Sequence, residues 1–434
     1  MIDNISEIYF ETYGCTANQN STEIMKGLVK QAGINLTSNS DFADLIIINS
    51  CIVKEATQNK IQRRLQDLLN SDKKIILAGC LPSVDKNLFQ EHLGRNLFLL
   101  GTFNVKNLID LIQDIKNNSY ELEKYLKQRN EIKSNLPKIS ENKLIGINQI
   151  SEGCLGECAY CIVRLAKGKL FSYPKEKIIE SVQNDINAGC KEIWITSQDN
   201  AAYGTDEGKF CLPGLLNSIL EIPGRFYVRI GMMSPNNVLK ILPELIETYK
   251  NPKMFKFLHI PIQSSSDKIL KDMNRKYNSK DILKIVSEFK KQIPEITIAT
   301  DIIIGYPGET DEDWNQTLKV IKEIQPEILN RSNFSPHKKT PAGRLPQLNP
   351  DIINSRANEL MKLHLDICNK NQEKYLNQTL PVLIDSKGFE NTWLGRTENY
   401  KLVAVQSRDK LLGKKVNVKI NKLTPHYLIG EESE

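Results

Sequence analysis

Three cysteines in one short segment, Cys154, Cys158 and Cys161, have a spacing that suits an iron–sulfur cluster. A structural zinc site normally has four ligands in C-x2-C pairs, so a lone C-x3-C-x2-C trio is a poor match. The bacterial ferredoxin run has closer spacing and needs a fourth cysteine. Three thiolates on a four-iron cluster would instead leave one iron open for a substrate or cofactor. The alternative is an incidental cysteine-rich loop.

Three further cysteines, Cys15, Cys51 and Cys80, each stand just past a predicted buried strand. The carboxyl ends of parallel strands meet at one edge of an open sheet, where ligands bind. These thiols could therefore converge although they are far apart in the chain. Chance is the alternative, because cysteine is a common core residue. The predicted strands span residues 8–10, 45–48 and 74–78.

The other three of the nine cysteines, Cys190, Cys211 and Cys368, are interpreted as buried thiols that act as small hydrophobes. An odd number of cysteines in a chain with no visible secretory signal argues against a disulfide framework. The longest apolar runs are too short to span a bilayer. We therefore expect a cytoplasmic protein with no membrane partner.

The composition is that of a globular protein of several domains. The chain has 434 residues, of which 40% are hydrophobic and 25% charged. These values exclude the disordered and fibrous classes. The formal net charge of +6 is only weak evidence for a nucleic-acid partner, because its place on the surface is not known from the sequence.

Strands and helices alternate along most of the chain, which predicts an α/β protein. In the N-terminal part, helices are expected at residues 21–32 and 54–69. A charged, asparagine-rich stretch then reads as a linker. From residue 145, six strand-like runs alternate with amphipathic stretches, which indicates a parallel sheet arranged as a six-unit partial barrel. The six runs are 145–150, 192–196, 226–231, 257–262, 296–304 and 327–334.

The last 60 or so residues change character. Short strands with glycine and asparagine turns predict a small all-β barrel of the OB size class. A helix at residues 352–374 precedes it. We therefore expect four segments: an N-terminal domain at 1–115, a linker at 116–143, a core at 144–374 and a C-terminal module at 375–434.

The cysteine loop resembles that of the radical S-adenosylmethionine (SAM) enzymes, whose hallmark is C-x3-C-x-aromatic-C; Tyr160 is the aromatic residue here. The resemblance implies that Cys154, Cys158 and Cys161 bind a [4Fe-4S] cluster. In that superfamily the open iron chelates the amino and carboxylate groups of SAM, and one-electron reduction yields a 5′-deoxyadenosyl radical. The same resemblance implies a radical SAM (β/α)6 partial barrel.

Almost the whole chain resembles the methylthiotransferase family. That likeness implies a flavodoxin-like parallel α/β domain, in which Cys15, Cys51 and Cys80 hold a second [4Fe-4S] cluster. It also implies an OB-like C-terminal TRAM domain that binds RNA. The matching motifs are Tyr13-Gly14-Cys15, Asn49-Ser50-Cys51, Gly79-Cys80 and the segments 258–264, 301–310 and 395–400.

Within the family, the branch that thiomethylates N6-threonylcarbamoyladenosine in tRNA looks closest, particularly its archaeal and eukaryotic members. Segments 162–174, 199–204 and 258–264 support this, and Ser172-Tyr173-Pro174 stands where bacterial branches usually have Ser-Arg-Pro. Two cofactor segments depart from the family pattern, at Ser197 and at Asp301. The resemblance implies SAM contacts at Tyr160, Gln198, Asp301, Gly305 and Glu309.

The expected reaction converts N6-threonylcarbamoyladenosine at position 37 of tRNA to its 2-methylthio derivative. The resemblance implies that SAM is both methyl donor and radical source. A radical is needed because an aromatic C–H is too inert for acid–base or nucleophilic chemistry. It also implies an electron donor such as a flavodoxin or ferredoxin, and a sulfur source. The alternatives are isopentenyladenosine tRNA, a ribosomal protein, or a non-catalytic iron–sulfur protein that binds RNA or senses redox state.

Basic residues could follow tRNA phosphates, although solvated surface charge is an equally good interpretation for each. Trp393 and Tyr400 could stack on bases, but core packing is the more common role. His259 could face the site or pack. The candidate RNA-binding residues are Lys167, Lys169, Lys338, Lys339, Arg344, Arg396, Lys414 and Lys415.

Overall fold

The computed structural model describes residues 5–71, 73–87 and 89–433. Its N-terminal unit is a five-stranded parallel sheet in the order β2-β1-β3-β4-β5, with helices on both faces. This strand order is that of flavodoxin-like folds, as predicted. The elements are β1 (Glu7–Thr12), α1 (Thr16–Gln31), β2 (Asn35–Leu36), β3 (Leu45–Ser50), α2 (Glu55–Leu69), β4 (Lys74–Gly79), α3 (Cys80–Val84), β5 (Leu97–Gly101) and α4 (Leu108–Lys116).

The burial of a strand explains whether it could be predicted from the sequence. Every residue of β3 is buried, because helices cover both faces of a parallel sheet, and such strands read as continuous apolar runs. The sequence analysis did not assign the edge strands β2 and β5. β2 has two residues, too few for a periodic pattern, and β5 is an apolar run that also suits a short buried helix.

The predicted linker is a packed segment. It contains α5 (Leu122–Leu126), and Tyr125 within it is fully buried. Its later part runs along α1, where Ile139 N–H donates to Glu23 O at 2.9 Å. Gly27 makes this close approach feasible, since a Cβ there would lie 2.3 Å from Pro137 O. The segment therefore ties the N-terminal unit to the core.

The core has the six predicted parallel strands, which form two three-stranded sheets, β10-β9-β6 and β11-β12-β13. An isolated bridge between Val228 and Met254 lies where the two sheets meet. The elements are β6 (Ile145–Gln149), β7 (Ser151–Glu152), α6 (Val163–Lys167), β8 (Phe171–Ser172), α7 (Lys175–Asn187), β9 (Glu192–Thr196), α8 (Leu212–Leu220), β10 (Tyr227–Ile230), α9 (Pro235–Val238), α10 (Leu242–Tyr249), β11 (Phe257–His259), α11 (Asp267–Asp272), α12 (Ser279–Gln292), β12 (Thr297–Ile304), α13 (Asp311–Ile324), β13 (Ile328–Asn333) and α14 (Pro350–Gln372).

The C-terminal unit is a closed five-stranded barrel, as predicted, in the order β14-β15-β16-β18-β17. It docks where the core strands begin: Thr297 Oγ1 donates to Asn399 O at 2.6 Å. Tyr400 packs there against Phe255 and Phe257. The C-terminal barrel thus lies at the opposite end of the core strands from the cysteine loop. Its strands are β14 (Thr379–Lys387), β15 (Thr392–Thr397), β16 (Leu402–Gln406), β17 (Lys415–Leu423) and β18 (Leu428–Glu432).

Across residues 5–71, 73–87 and 89–433, no helix combines the length and the apolar character that crossing a membrane requires.

Candidate functional site

The loop with Cys154, Cys158 and Cys161 follows the first core strand and leads into α6. Gly153 begins it with φ of +75°, and a Cβ there would lie 2.1 Å from Lys169 O. Only glycine allows this close approach together with a positive φ. Cys154 N–H then donates to Gly168 O at 3.3 Å, which closes the base of the loop.

The thiols of this loop share one small space. A Cβ on Gly156 would lie 3.2 Å from Cys154 Sγ and 3.8 Å from Cys158 Sγ. The Gly156 N–H donates to Cys154 Sγ at 3.2 Å. Burial raises the pKa of Cys154 to about 12, so metal binding here would have to displace the thiol proton.

Arg275, which the sequence analysis missed, contacts this loop directly. Its Nη1 donates to Cys158 Sγ at 3.2 Å and its Nη2 to Ser234 Oγ at 3.0 Å. The guanidinium also lies 4.8 Å from the centroid of the Tyr277 ring. Arg275 therefore places a positive charge at the sulfur of Cys158. It lies more than a hundred residues from the loop in the chain, so spacing gives no signal for it.

The other three cysteines converge around Asn18 of α1. Asn18 Oδ1 lies 4.0 Å from Cys15 Sγ and 3.9 Å from Cys80 Sγ. Its Nδ2 donates to the carbonyl oxygens of Tyr13 and Ser50, at 3.0 and 2.9 Å. Asn18 therefore ties together the two loops that carry Cys15 and Cys51.

Cys51 belongs to the same group because its chain segment passes close to Gly14. A Cβ on Gly14 would lie 2.9 Å from Cys51 Cβ, so the chain passes close only because residue 14 is glycine. The predicted convergence at the carboxyl edge of the N-terminal sheet is thus present in the fold. Asn18 is three residues after Cys15, but a lone asparagine in a predicted helix gives no distinctive signal.

Both trios suit a cluster better than a single ion. In the described residues, no three His, Cys, Asp or Glu side chains converge closely enough to hold one metal ion. A four-iron cluster takes one thiolate per iron, so its ligands stand apart around a larger object. Three soft sulfur donors in each group fit such a cluster.

Polar atoms without partners lie at the carboxyl end of β9. Within the part of the chain that the structure describes, Ser197 Oγ, Gln198 Oε1 and Asn200 Oδ1 are buried and have no hydrogen-bond partner. Buried polar groups are rarely left unpaired, so these atoms indicate a polar ligand or water. They suit the predicted contact between Gln198 and SAM, which stays a prediction.

Asp301 lies on β12 beside His259. His259 Nε2 lies 3.2 Å from both carboxylate oxygens, and Asn330 Nδ2 donates to Oδ1 at 2.6 Å. Burial opposes ionisation of Asp301, but these neighbours outweigh it and lower its pKa. His259 therefore has a polar partner on the neighbouring strand, and its role at the site stays a prediction.

Gly305 and Glu309 form a turn that packs on α14. A Cβ on Gly305 would lie 2.5 Å from Ile353 Cγ1. Glu309 Oε2 accepts from Gly305 N–H at 3.1 Å and from Arg356 Nη1 at 2.8 Å. Tyr160 packs beside Met273 in a nearby apolar cluster. The cofactor contacts of these three residues stay predictions, and the structure gives each a packing or turn-forming role.

Lys167 is wrongly assigned as a residue that follows tRNA phosphates. Its side chain is 2% exposed, and its Nζ donates to the buried Glu152 Oε1 at 2.5 Å. The sequence could not show this, because a lysine after a cysteine loop reads as surface charge. Trp393 and Tyr400 pack against apolar clusters, the more common of the two roles considered.

The other basic candidates fall into two groups. Lys339 Nζ donates to Val84 O, so its segment rests on the N-terminal unit, and Ala342 N–H of the same segment donates to Ala159 O in the cysteine loop. Lys415, by contrast, contacts Glu398 and Tyr227 at the far end of the core. The first group is Lys338, Lys339 and Arg344, with Lys169 exposed near the loop, and the second is Arg396, Lys414 and Lys415.

Three family models match successive parts of the chain. The model for the Radical SAM superfamily matches residues 148–321. The model described as "Uncharacterized protein family UPF0004" matches residues 7–101, and the TRAM domain model matches residues 373–431. The three matches coincide with the core, the N-terminal unit and the C-terminal barrel.

Curated relatives match over the full length. A probable threonylcarbamoyladenosine tRNA methylthiotransferase from Pyrococcus abyssi is 38% identical, over 98% of this chain and 99% of that protein. The threonylcarbamoyladenosine tRNA methylthiotransferase of Danio rerio is 34% identical, over 100% of this chain and 80% of that protein.

Among solved structures, a radical S-adenosylmethionine methyltransferase, TsrM from Kitasatospora setae, has a similar fold. The TM-score is 0.57 at 12% identity, over 78% of this chain and 77% of that one. At this identity the likeness concerns the fold alone.

Proposed function

The chain belongs to the threonylcarbamoyladenosine tRNA methylthiotransferases, and we propose that it converts N6-threonylcarbamoyladenosine at position 37 of tRNA to the 2-methylthio derivative. It is a radical SAM enzyme, so it uses SAM and an iron–sulfur cluster. Cys154, Cys158 and Cys161 would hold that cluster. Cys15, Cys51 and Cys80 would hold a second one, which supplies the sulfur.

The observation that carries this proposal is that both cysteine groups adjoin α6. This helix begins two residues after Cys161, and α3, which begins at Cys80, packs against it. A helix of five residues is only about 7 Å long. A reaction that joins sulfur from one group to carbon activated at the other needs this kind of proximity.

When bound, SAM and the first cluster supply a carbon radical able to take the hydrogen from an adenine C–H. The chain's own residues position the reactants. Gln198 has an unpaired buried oxygen that would accept a hydrogen bond from the cofactor. Asp301 and His259 form a polar pair at the carboxyl end of the core strands, where the base would lie. Closely packed loops exclude water from a reactive intermediate.

The exposed basic residues support a large polyanionic substrate. One group lies beside the cysteine loop and the other on the C-terminal barrel, at opposite ends of the core. The eight residues of β12 alone span about 26 Å. A ligand that contacts both groups must be larger than this, as a folded tRNA is. The target base lies in a loop, where it can leave its stack at low cost.

Two further partners follow from the chemistry. Reductive cleavage of SAM consumes an electron, so we propose a small electron-transfer protein such as a flavodoxin or ferredoxin. Each turnover removes a sulfur atom, so a sulfur source must restore it.

The test is nucleoside mass spectrometry of tRNA after anaerobic incubation with reconstituted protein, SAM and a reductant. Separate pools would carry threonylcarbamoyladenosine or isopentenyladenosine. We expect a methylthio mass gain in the first pool alone. A gain only in the second would overturn the substrate. No gain in either, with deoxyadenosine still formed, would point to a ribosomal protein, and no deoxyadenosine would point to a non-catalytic role.

A further inference from the structure

Glu152 lies at the centre of a buried charged group between the N-terminal unit and the core. Its Oε2 accepts from Lys133 Nζ at 2.6 Å and its Oε1 from Lys167 Nζ at 2.5 Å. All three side chains are at most 2% exposed. Two ammonium groups that donate to the same carboxyl group favour its charged form. Glu152 is therefore a carboxylate.

Two ammonium groups that share one carboxylate leave one positive charge unbalanced. A buried charge without a counter-ion is costly, so an anion is expected nearby. The buried carboxylate of Glu131 is not part of this ion-paired group: among the described residues it pairs with neither lysine, and it accepts instead from the backbone N–H groups of Val105 and Lys106 at 3.1 and 2.7 Å.

Lys167 lies on the side of the three N-terminal cysteines. It lines a small cavity together with Asn18 and Gly79. Asn18 is the residue that contacts Cys15 Sγ and Cys80 Sγ. The helix α6, which ends at Lys167, packs against α3, which begins at Cys80.

We propose that Lys167 supplies the positive charge that balances the cluster held by Cys15, Cys51 and Cys80, and thereby sets its reduction potential. In its resting form a four-iron core carries two positive charges, so three thiolates leave the cluster with one negative charge. That charge is equal in size and opposite in sign to the excess positive charge of the Lys133–Glu152–Lys167 group. The inference rests on the proposed function, which provides the second cluster.

The test uses the full chain with Cys154, Cys158 and Cys161 all changed to alanine, so that only the second cluster remains. Iron per chain and the reduction potential from a titration followed by electron paramagnetic resonance are measured. Lys167→Gln should shift the potential to more negative values, because the added electron loses a nearby cation. Lys167→Arg should restore it. Lys106→Gln, which removes an exposed cation beside Val105, should leave it unchanged.

A second variant gives the opposite sign. Glu152→Gln removes the shared carboxylate and should shift the potential to more positive values. If Lys167→Gln cannot retain iron, the inference is judged on Glu152→Gln alone. An unchanged or more negative reduction potential in Glu152→Gln overturns it. An unchanged potential in iron-loaded Lys167→Gln also overturns it, but leaves the proposed function intact. A parent variant without iron would overturn the second cluster, and this inference with it.

Discussion

The two cysteine groups are assembled in different ways. Cys154, Cys158 and Cys161 share one loop, and backbone hydrogen bonds at its base define their positions. Cys15, Cys51 and Cys80 follow three separate strands, and they meet only because those strands lie side by side in a parallel sheet. The first group depends on local sequence and the second on the packing of a whole domain.

The cation beside each group comes from a distant part of the chain. Arg275 reaches Cys158 from the segment after α11, and Lys167 lies at the end of the core helix α6, which packs against the helix that begins at Cys80. The cysteines of each group lie in the segments that form the site, but the cation beside them is brought there by the tertiary structure. The two regions should therefore respond differently to substitution.

Removing each group of cysteines should have the largest effect. Replacing Cys154, Cys158 and Cys161 by alanine should halve the iron and abolish both deoxyadenosine and methylthiolated tRNA. The same change at the N-terminal group should also halve the iron and abolish methylthiolation, yet leave deoxyadenosine formation. Cys211→Ala is the control and should keep both activities. Methylthiolation that survives loss of the N-terminal group would contradict the two-cluster assignment.

Arg275→Met should weaken only the core site. Loss of the hydrogen bond to Cys158 Sγ should slow deoxyadenosine formation by about 10- to 100-fold, as is typical when a group bonded to a metal ligand is lost. Chromatographic assay of deoxyadenosine measures it. Lys276→Met, which changes the neighbouring exposed lysine, is the control. Equal slowing in both variants would show that Arg275 has no specific role.

Asn18→Ala should weaken only the N-terminal site, by less. The change leaves the carbonyl oxygens of Tyr13 and Ser50 without their amide partner, which costs about 1–3 kcal/mol for a buried group. We expect several-fold less retention of N-terminal iron during dialysis against a chelator, and normal deoxyadenosine formation. Gln19→Ala, on the same helix, should retain iron normally. Loss of deoxyadenosine formation in Asn18→Ala would argue against separate sites.

The smallest effect on activity is expected at Glu23, in the helix that carries Asn18. Burial raises its pKa from 4.5 to about 7, so the folded state holds this proton more tightly than the unfolded chain. Its contribution to stability is present below about pH 4.5 and is lost as the pH rises through 7, by up to about 3 kcal/mol. Glu23→Gln should flatten this dependence in urea unfolding at pH 5 and 8. If the free energy of unfolding still differs as much between pH 5 and 8 in Glu23→Gln, Glu23 is not the group responsible.

The sequence predicted the six core strands because strand-like runs alternate regularly with amphipathic stretches from residue 145 onward. It predicted the C-terminal barrel from short strands separated by glycine and asparagine turns. The packing of the segment at 116–143 was not predicted, because its charged composition is also typical of an exposed linker. Its contact with α1 depends on Gly27, a residue type that fits many roles.

By itself, the sequence determined the spacing of the cysteine loop, the order of strands and helices, and the resemblance to a family. These are local properties, since they depend on residues adjacent in the chain. Only the tertiary structure decided that Lys167 is buried beside Glu152, that Arg275 donates to Cys158, and that Asn18 joins the N-terminal cysteines. The physical reason is that burial and hydrogen bonding depend on which distant segments pack together, and lysines or arginines with the same local sequence can end up exposed or buried.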